Sequence, residues 1–129
     1  MNKIENFEDI ISWQKARVMT RDVYAASKMV LFSRDLGLRD QIQRASVSTM
    51  ANIPEGFERG GNKEFAQFLS NSKGSCGEVK SHLYVALDQN YITQEGFDHI
   101  YGEADEVGRL LSEFMTYLRN SDLRGNKFR

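Results

Sequence analysis

The sequence predicts an all-α protein built as an antiparallel, up-and-down four-helix bundle, and three observations carry that expectation. Four segments place apolar residues at spacings of three and four, the period of one face of an α-helix. A single proline stands in 129 residues, as long uninterrupted helices require. No stretch needs a strand to explain its pattern. Short polar or glycine-containing breaks separate the four segments, so consecutive helices are expected to pack as antiparallel neighbours.

The first helix is expected from about Asn6 or Ser12 to Phe32, with Ile11, Val18, Ala25 and Phe32 seven residues apart on its apolar face and Met29 beside them. The segment Ser33 to Gly37 breaks the period. A second helix begins with Leu38, Ile42, Ala45, Thr49 and Ile53, and Pro54 is expected to kink or end it, because proline lacks the N–H and crowds the preceding turn. Glu58 to Gly61 form a loop, after which Asn62 is expected to cap a third helix with Glu64 at its positive end. Its stripe of Phe65, Phe68, Leu69, Ser72, Cys76, Val79, Leu83 and Leu87 ends near Asn90. Thr93 is suited to cap the fourth and most regular helix. There Phe97, Ala104, Leu111 and Leu118 hold one heptad position and Ile100, Val107 and Phe114 the other. Residues 1–119 are thus expected to form one domain, followed by a polar tail over 120–129. Gly74, Gly77, Gly102 and Gly108 inside helices are either close approaches between helices or plain losses of helix propensity.

Composition restricts the function class. The chain carries 17 Lys+Arg against 18 Asp+Glu and one cysteine, Cys76. The near-neutral balance argues against a general nucleic-acid coat, and one cysteine forbids an internal disulfide and fits a reducing compartment, so the cytoplasm is the expected location. No apolar run approaches the roughly 18 to 20 residues of a membrane span, and the first ten residues lack the apolar core of a signal peptide.

Catalytic and metal constellations do not emerge, and neither an enzyme nor a cofactor is expected. A di-iron bundle needs paired Glu-x-x-His motifs, whereas Glu78 with His82 and Glu95 with His99 are four apart. His82 points about 120° away from Cys76 around a helix, and Cys76 belongs to the apolar stripe, which makes it a small core residue. The glycine-containing segments at 59–62 and 74–77 follow no strand and match no phosphate-loop spacing. The run from Ala45 to Ile53 superficially resembles a repressor recognition helix, but the apolar period continues unbroken from Leu38 without the required turn.

The second helix is the most unusual. Ala45 to Pro54 contain no charge, and Arg44, Val47, Ser48, Ala51 and Glu55 form a row distinct from the core row. Both sides then read as buried, which implies a partner subunit; a small-residue face against its own neighbours is the alternative. Arg44 and Glu55 bracket the uncharged run. With Asn52 and Glu78 they are candidates for a polar clamp that fixes helix register or subunit orientation, and an RNA or ligand contact by Arg44 is the competing role. Charge is also uneven along the chain: residues 1–34 carry six Lys+Arg against four Asp+Glu, and residues 91–129 five against seven. Arg17, Arg21 and Lys28 fall in one row of helix one. This is either a candidate nucleic-acid surface that symmetry would extend into a band or a solvated face with snorkelling stems. The tail, with Arg119, Arg124, Lys127 and Arg129, is a second basic candidate.

Phe7-Glu8-Asp9-Ile10-Ile11, Trp13-Gln14-Lys15-Ala16, Gln41 to Ser48, Ala51-Asn52-Ile53, Glu55-Gly56-Phe57 and Lys63-Glu64-Phe65 with Phe68-Leu69 resemble the bacterial 23S rRNA intervening-sequence proteins, once labelled an S23 ribosomal protein. The resemblance extends from Phe7 to about Leu118. It implies a four-helix bundle assembled as a homopentamer without established enzymatic activity. It also implies kinship with the accessory proteins of diversity-generating retroelements, which bind nucleic acid and a reverse transcriptase. A nucleic acid, or a polypeptide such as a polymerase, is thus the implied partner. Met50 stands where members commonly place a proline, and Pro54 comes later.

Overall fold

The computed structural model describes residues 4–122. After a 3-10 turn at Phe7–Asp9, five α-helices follow: α1 (Ile11–Ser27), the short α2 (Val30–Arg34), α3 (Leu36–Phe57), α4 (Asn62–Asp88) and α5 (Gln94–Asp122). The four long ones form the bundle, in which α3 packs on α4, α4 on α5, and α1 on both α3 and α5. Contacts between neighbours run in opposite senses: Thr20 meets Ser46 and Ser27 meets Gln43, Ser48 meets Ser75 and Gly56 meets Phe65, Phe65 meets Phe114 and Tyr84 meets Phe97, and Lys15 meets Glu106 and Asp22 meets His99. Every neighbouring pair is therefore antiparallel, as the short connections require.

Three of the four apolar stripes fall where the period puts them. Leu38, Ile42, Ala45, Thr49 and Ile53 of α3 are buried, as are Phe65, Leu69, Ser72, Cys76, Val79 and Leu83 of α4 and all seven heptad residues of α5, while Phe68 and Leu87 of the α4 stripe are half-buried. Thr93 caps α5, accepting the Gly96 N–H at 3.0 Å. Cys76 is a core residue whose thiol donates to the Ala104 carbonyl at 3.1 Å, and burial pushes that thiol up to about 11.

The first expected helix is two helices, and its buried face is different. α1 buries Ser12, Ala16, Met19, Val23 and Ser27, whereas Ile11 and Met29 are 57% exposed. The Ser27 hydroxyl is satisfied locally, donating to the Tyr24 carbonyl, and half-buried Thr20 donates to the Ala16 and Ser46 carbonyls, whereas the buried Ser12 hydroxyl has no hydrogen-bond partner among the described residues. An unbroken helix would carry Phe32 about 140° away from Ser27. The turn at Lys28 and Met29 instead swings Phe32 inward, where it is fully buried and stacks on Tyr91 with ring centroids 5.5 Å apart.

Pro54 does not end α3, which runs on to Phe57. The turn beyond it is closed by the Glu58 N–H donating to the Pro54 carbonyl at 2.9 Å. The close approach between helices occurs at Gly56: a Cβ there would lie 2.7 Å from Phe68 Cβ and 2.9 Å from the Phe65 ring. Gly74, Gly77, Gly102 and Gly108 have open space around that position, so they are not packing glycines. Gly61 rather than Asn62 occupies the N-cap of α4; Asn62 is the first helical residue, buried, its amide without a hydrogen-bond partner. Gly60 takes the left-handed backbone, φ 87°, that the turn into α4 needs. α5 extends to Asp122, beyond the expected boundary at 119, and the rest of the expected tail, with Arg124, Lys127 and Arg129, lies outside the described residues. No helix among the described residues is long and apolar enough to cross a membrane.

Candidate nucleic-acid interface

Because α1 buries the Ser12–Ala16–Met19–Val23–Ser27 face, the opposite side of the helix is presented outward. Arg17, Arg21 and Lys28 all lie there, exposed. None of the three takes part in an ion pair among the described residues. Lys28 stands at the helix C-cap, where the dipole favours a cation. Two aromatic residues share the row. At 100° per residue, Trp13, Arg17, Arg21, Tyr24 and Lys28 fall within about 80° of one another, giving a stripe of three cations interleaved with two rings. The Arg17 guanidinium lies 6.0 Å from the Trp13 ring centroid, and that ring packs edge-on against Phe7 at 5.1 Å. Both Trp13 and Tyr24 are half-buried, held by the fold with part of each side chain outside.

Tyr24 is also one wall of an open groove of about 600 Å³ between α1 and α3, lined by Gln43, Arg44, Val47, Ser48 and Ala51. The second row of α3, read from the sequence as buried, is at the surface of the single chain: Arg44, Val47, Ala51 and Glu55 are exposed and Ser48 is half-buried. The four clamp candidates do not converge within one chain. Arg44 makes no ion pair to Glu78, and Glu55 instead receives Arg59 at 2.9 Å. Arg59 lies four residues on, in the turn just past the end of α3, which places it within reach of Glu55. Asn52 donates to the Ser48 carbonyl and hydroxyl at 2.9 and 3.1 Å, and Ser48 in turn meets Ser75 at 2.9 Å, so Asn52 braces the α3–α4 contact. Glu78 is exposed on α4.

A second polar cluster joins α1 to α5. His99 Nε2 lies 3.1 Å from Asp22 Oδ2 and 3.6 Å from Glu103 Oε2. The Glu103 side chain is about four-fifths buried, and its Oε1 has no hydrogen-bond partner. Burial pushes its carboxyl up to about 7, with the Asp22 carboxylate acting in the same direction and His99 and Arg21 opposing. A carboxyl raised above its unfolded value favours the folded state while protonated. That contribution is complete below about pH 4.5 and is lost as pH rises through about 7. Urea denaturation in the presence of a chelator is therefore expected to show stability falling from pH 5 to pH 8, with a flatter profile in Glu103→Gln. Equal slopes in both proteins would contradict the assignment.

Two features were missed at the level of sequence although a signal existed. Trp13 and Tyr24 share the cationic row by the same helical arithmetic that groups Arg17, Arg21 and Lys28. His99 and Glu103 are four apart, and the spacing that pairs His99 with Glu95 applies equally in the other direction. Asp22 comes to them only through the α1–α5 packing.

Fold and surface together define an antiparallel helical bundle with one cationic, aromatic-studded helix face and a small polar cluster beside it. The chain belongs to the family of the 23S rRNA-intervening sequence protein, whose model matches residues 8–113. No curated protein matches it. Among solved structures it is similar to a protein of unknown function from the S23 ribosomal protein family of Bacteroides thetaiotaomicron. The two are 23% identical with a TM-score of 0.75, and the match covers 81% of this chain and 98% of that one. This likeness supports the bundle fold.

Proposed function

We propose that this protein is a non-enzymatic cytoplasmic binding module that self-assembles and holds RNA or DNA on the α1 stripe with little sequence specificity. The observation that carries the reading is the stripe itself: three exposed cations, none of them ion-paired among the described residues, interleaved with Trp13 and Tyr24. Cations attract phosphates regardless of sequence, and aromatic faces stack on unpaired bases, so the combination suits single-stranded or looped nucleic acid better than a smooth duplex. Its membership of the 23S rRNA-intervening sequence family is in keeping with an RNA ligand.

Self-assembly rests on apolar surface. Met29, Val30, Leu31 and Leu36 are each at least 55% exposed, and Val47 is 44% exposed on α3 beside the Tyr24 groove. Such surface favours a partner. A closed ring of identical copies, a homopentamer on the family resemblance, would repeat the stripe around one assembly and raise its avidity for phosphates. In that assembly Arg44 of one copy and Glu55 of the next form the polar clamp. The same apolar surface favours a second reading, in which the true partner is a polypeptide such as a polymerase. Sedimentation velocity with a labelled single-stranded RNA tests both parts. At low salt the protein is expected to sediment as an oligomer and the RNA with it. A clean monomer at tens of micromolar contradicts assembly, and an unshifted RNA boundary contradicts the nucleic-acid reading.

A further inference from the structure

The cluster of Asp22, His99 and Glu103 lies outside the stripe and the groove, and the stripe proposal makes no use of it. It has the composition and shape of a three-ligand cation site. Each residue offers one donor atom, and the three donors lie within 4.8 Å of one another. In tetrahedral coordination with bonds of about 2.0–2.2 Å, neighbouring ligand atoms are about 3.3–3.6 Å apart. The two separations from His99 Nε2, 3.1 Å to Asp22 and 3.6 Å to Glu103, bracket that edge. The donors come from both sides of one packed interface. His99 and Glu103 are one turn apart on α5, and Asp22 is held opposite them because Met19 and Val23 anchor α1 in the core.

The cluster also lacks something within the chain. The Asp22 and Glu103 carboxyl groups lie against each other, and one imidazole lies against both. Among the described residues no Lys or Arg is ion-paired to either, Arg21 being the cation that acts on Glu103 from a distance. Glu103 Oε1 is fully buried and makes no hydrogen bond. Burying an unpartnered carboxyl oxygen is unfavourable, so the arrangement calls for a ligand or proton to compensate it. We infer that Asp22, His99 and Glu103 form a binding site for a first-row transition-metal dication of the zinc type, which ties α1 to α5. One imidazole nitrogen with two carboxylate oxygens suits Zn²⁺ better than Ca²⁺ or Mg²⁺, which take oxygen ligands, or Cu⁺, which prefers sulfur. The His99 side chain is 65% exposed, so an ion can reach the cluster from solvent.

The test is a Zn²⁺ titration of the chelator-treated protein by calorimetry, with Co²⁺ absorption reporting coordination geometry. The wild type is expected to take up about one ion per chain, with tetrahedral Co²⁺ bands and a raised melting temperature. His99→Ala and the near-isosteric Glu103→Gln are expected to weaken binding by about tenfold or more and to abolish the thermal shift. His82→Ala, which removes the other histidine, is expected to leave both unchanged. No saturable uptake of Zn²⁺ by the folded wild type would overturn the site. So would wild-type affinity in His99→Ala, or equal weakening by His82→Ala and His99→Ala.

Discussion

Replacing Arg17, Arg21 and Lys28 together by glutamate is expected to reduce affinity for single-stranded RNA by at least about a hundredfold at low salt, while leaving the helical content unchanged. The two halves of that expectation have separate physical origins. All three side chains are exposed and none is ion-paired among the described residues, so the fold loses only the Arg17–Trp13 contact and the long-range attraction of Arg21 for Glu103 when they are reversed. Phosphate binding loses three counterion-releasing contacts and gains three repulsions. A polypeptide docked on the apolar surface of Met29, Val30, Leu31 and Leu36 would respond differently, since rim charges chiefly alter the association rate. The triple variant measured by fluorescence anisotropy against RNA therefore separates the two classes of partner. Retained RNA affinity would remove the stripe from the account.

Gly56→Ala is expected to destabilise the bundle by about 2–3 kcal/mol, lowering the melting temperature by roughly 10 °C. Adding a methyl group to a helix ordinarily helps by about 0.5–1 kcal/mol. At Gly56 the new carbon would lie 2.7 Å from Phe68 Cβ and 3.3 Å from Phe65 Cα, both close to the α4 backbone, so no side-chain rotation relieves it. α3 and α4 must separate, and the aromatic contacts of Phe65 with Phe57 and Phe114, at 5.9 and 5.2 Å, loosen with them. Gly74→Ala is the matched control, because nothing lies within 4 Å of its Cβ position; it is expected to stabilise. Differential scanning calorimetry of both variants checks the sign difference, and equal shifts would refute the close approach.

The contrast between α5 and α1 shows what was legible in the sequence. α5 carries large aliphatic and aromatic residues at every inward position, so its period alone places all seven in the core. α1 turns Ser12, Ala16 and Ser27 inward, and hydropathy counts such residues as neutral. Their burial depends on what the neighbouring helices place against them and, for Ser27, on a hydroxyl that bonds the Tyr24 carbonyl, information that a single stripe does not contain. The same limit explains the glycines: Gly56 differs from Gly74 only in what the adjacent helix places beside it. The cations of the stripe were readable because a helical row needs only spacing. The Asp22–His99–Glu103 cluster needed the α1–α5 register, which joins residues 77 positions apart. Pro54 stops less than expected because only one turn of α3 remains beyond it, and the bonds of that turn are closed from Pro54 onward.

Trp13 is the single tryptophan of the chain, and it stands in the stripe. Its fluorescence is therefore a direct reporter of the central claim. Titration with a short single-stranded RNA at increasing salt is expected to quench its emission saturably. With three phosphate contacts per chain, log affinity is expected to fall with log salt at a slope near −2, about a hundredfold per tenfold rise in salt. Tryptophan emission that RNA leaves unchanged at low ionic strength, or quenching that salt does not reverse, would contradict binding on this face.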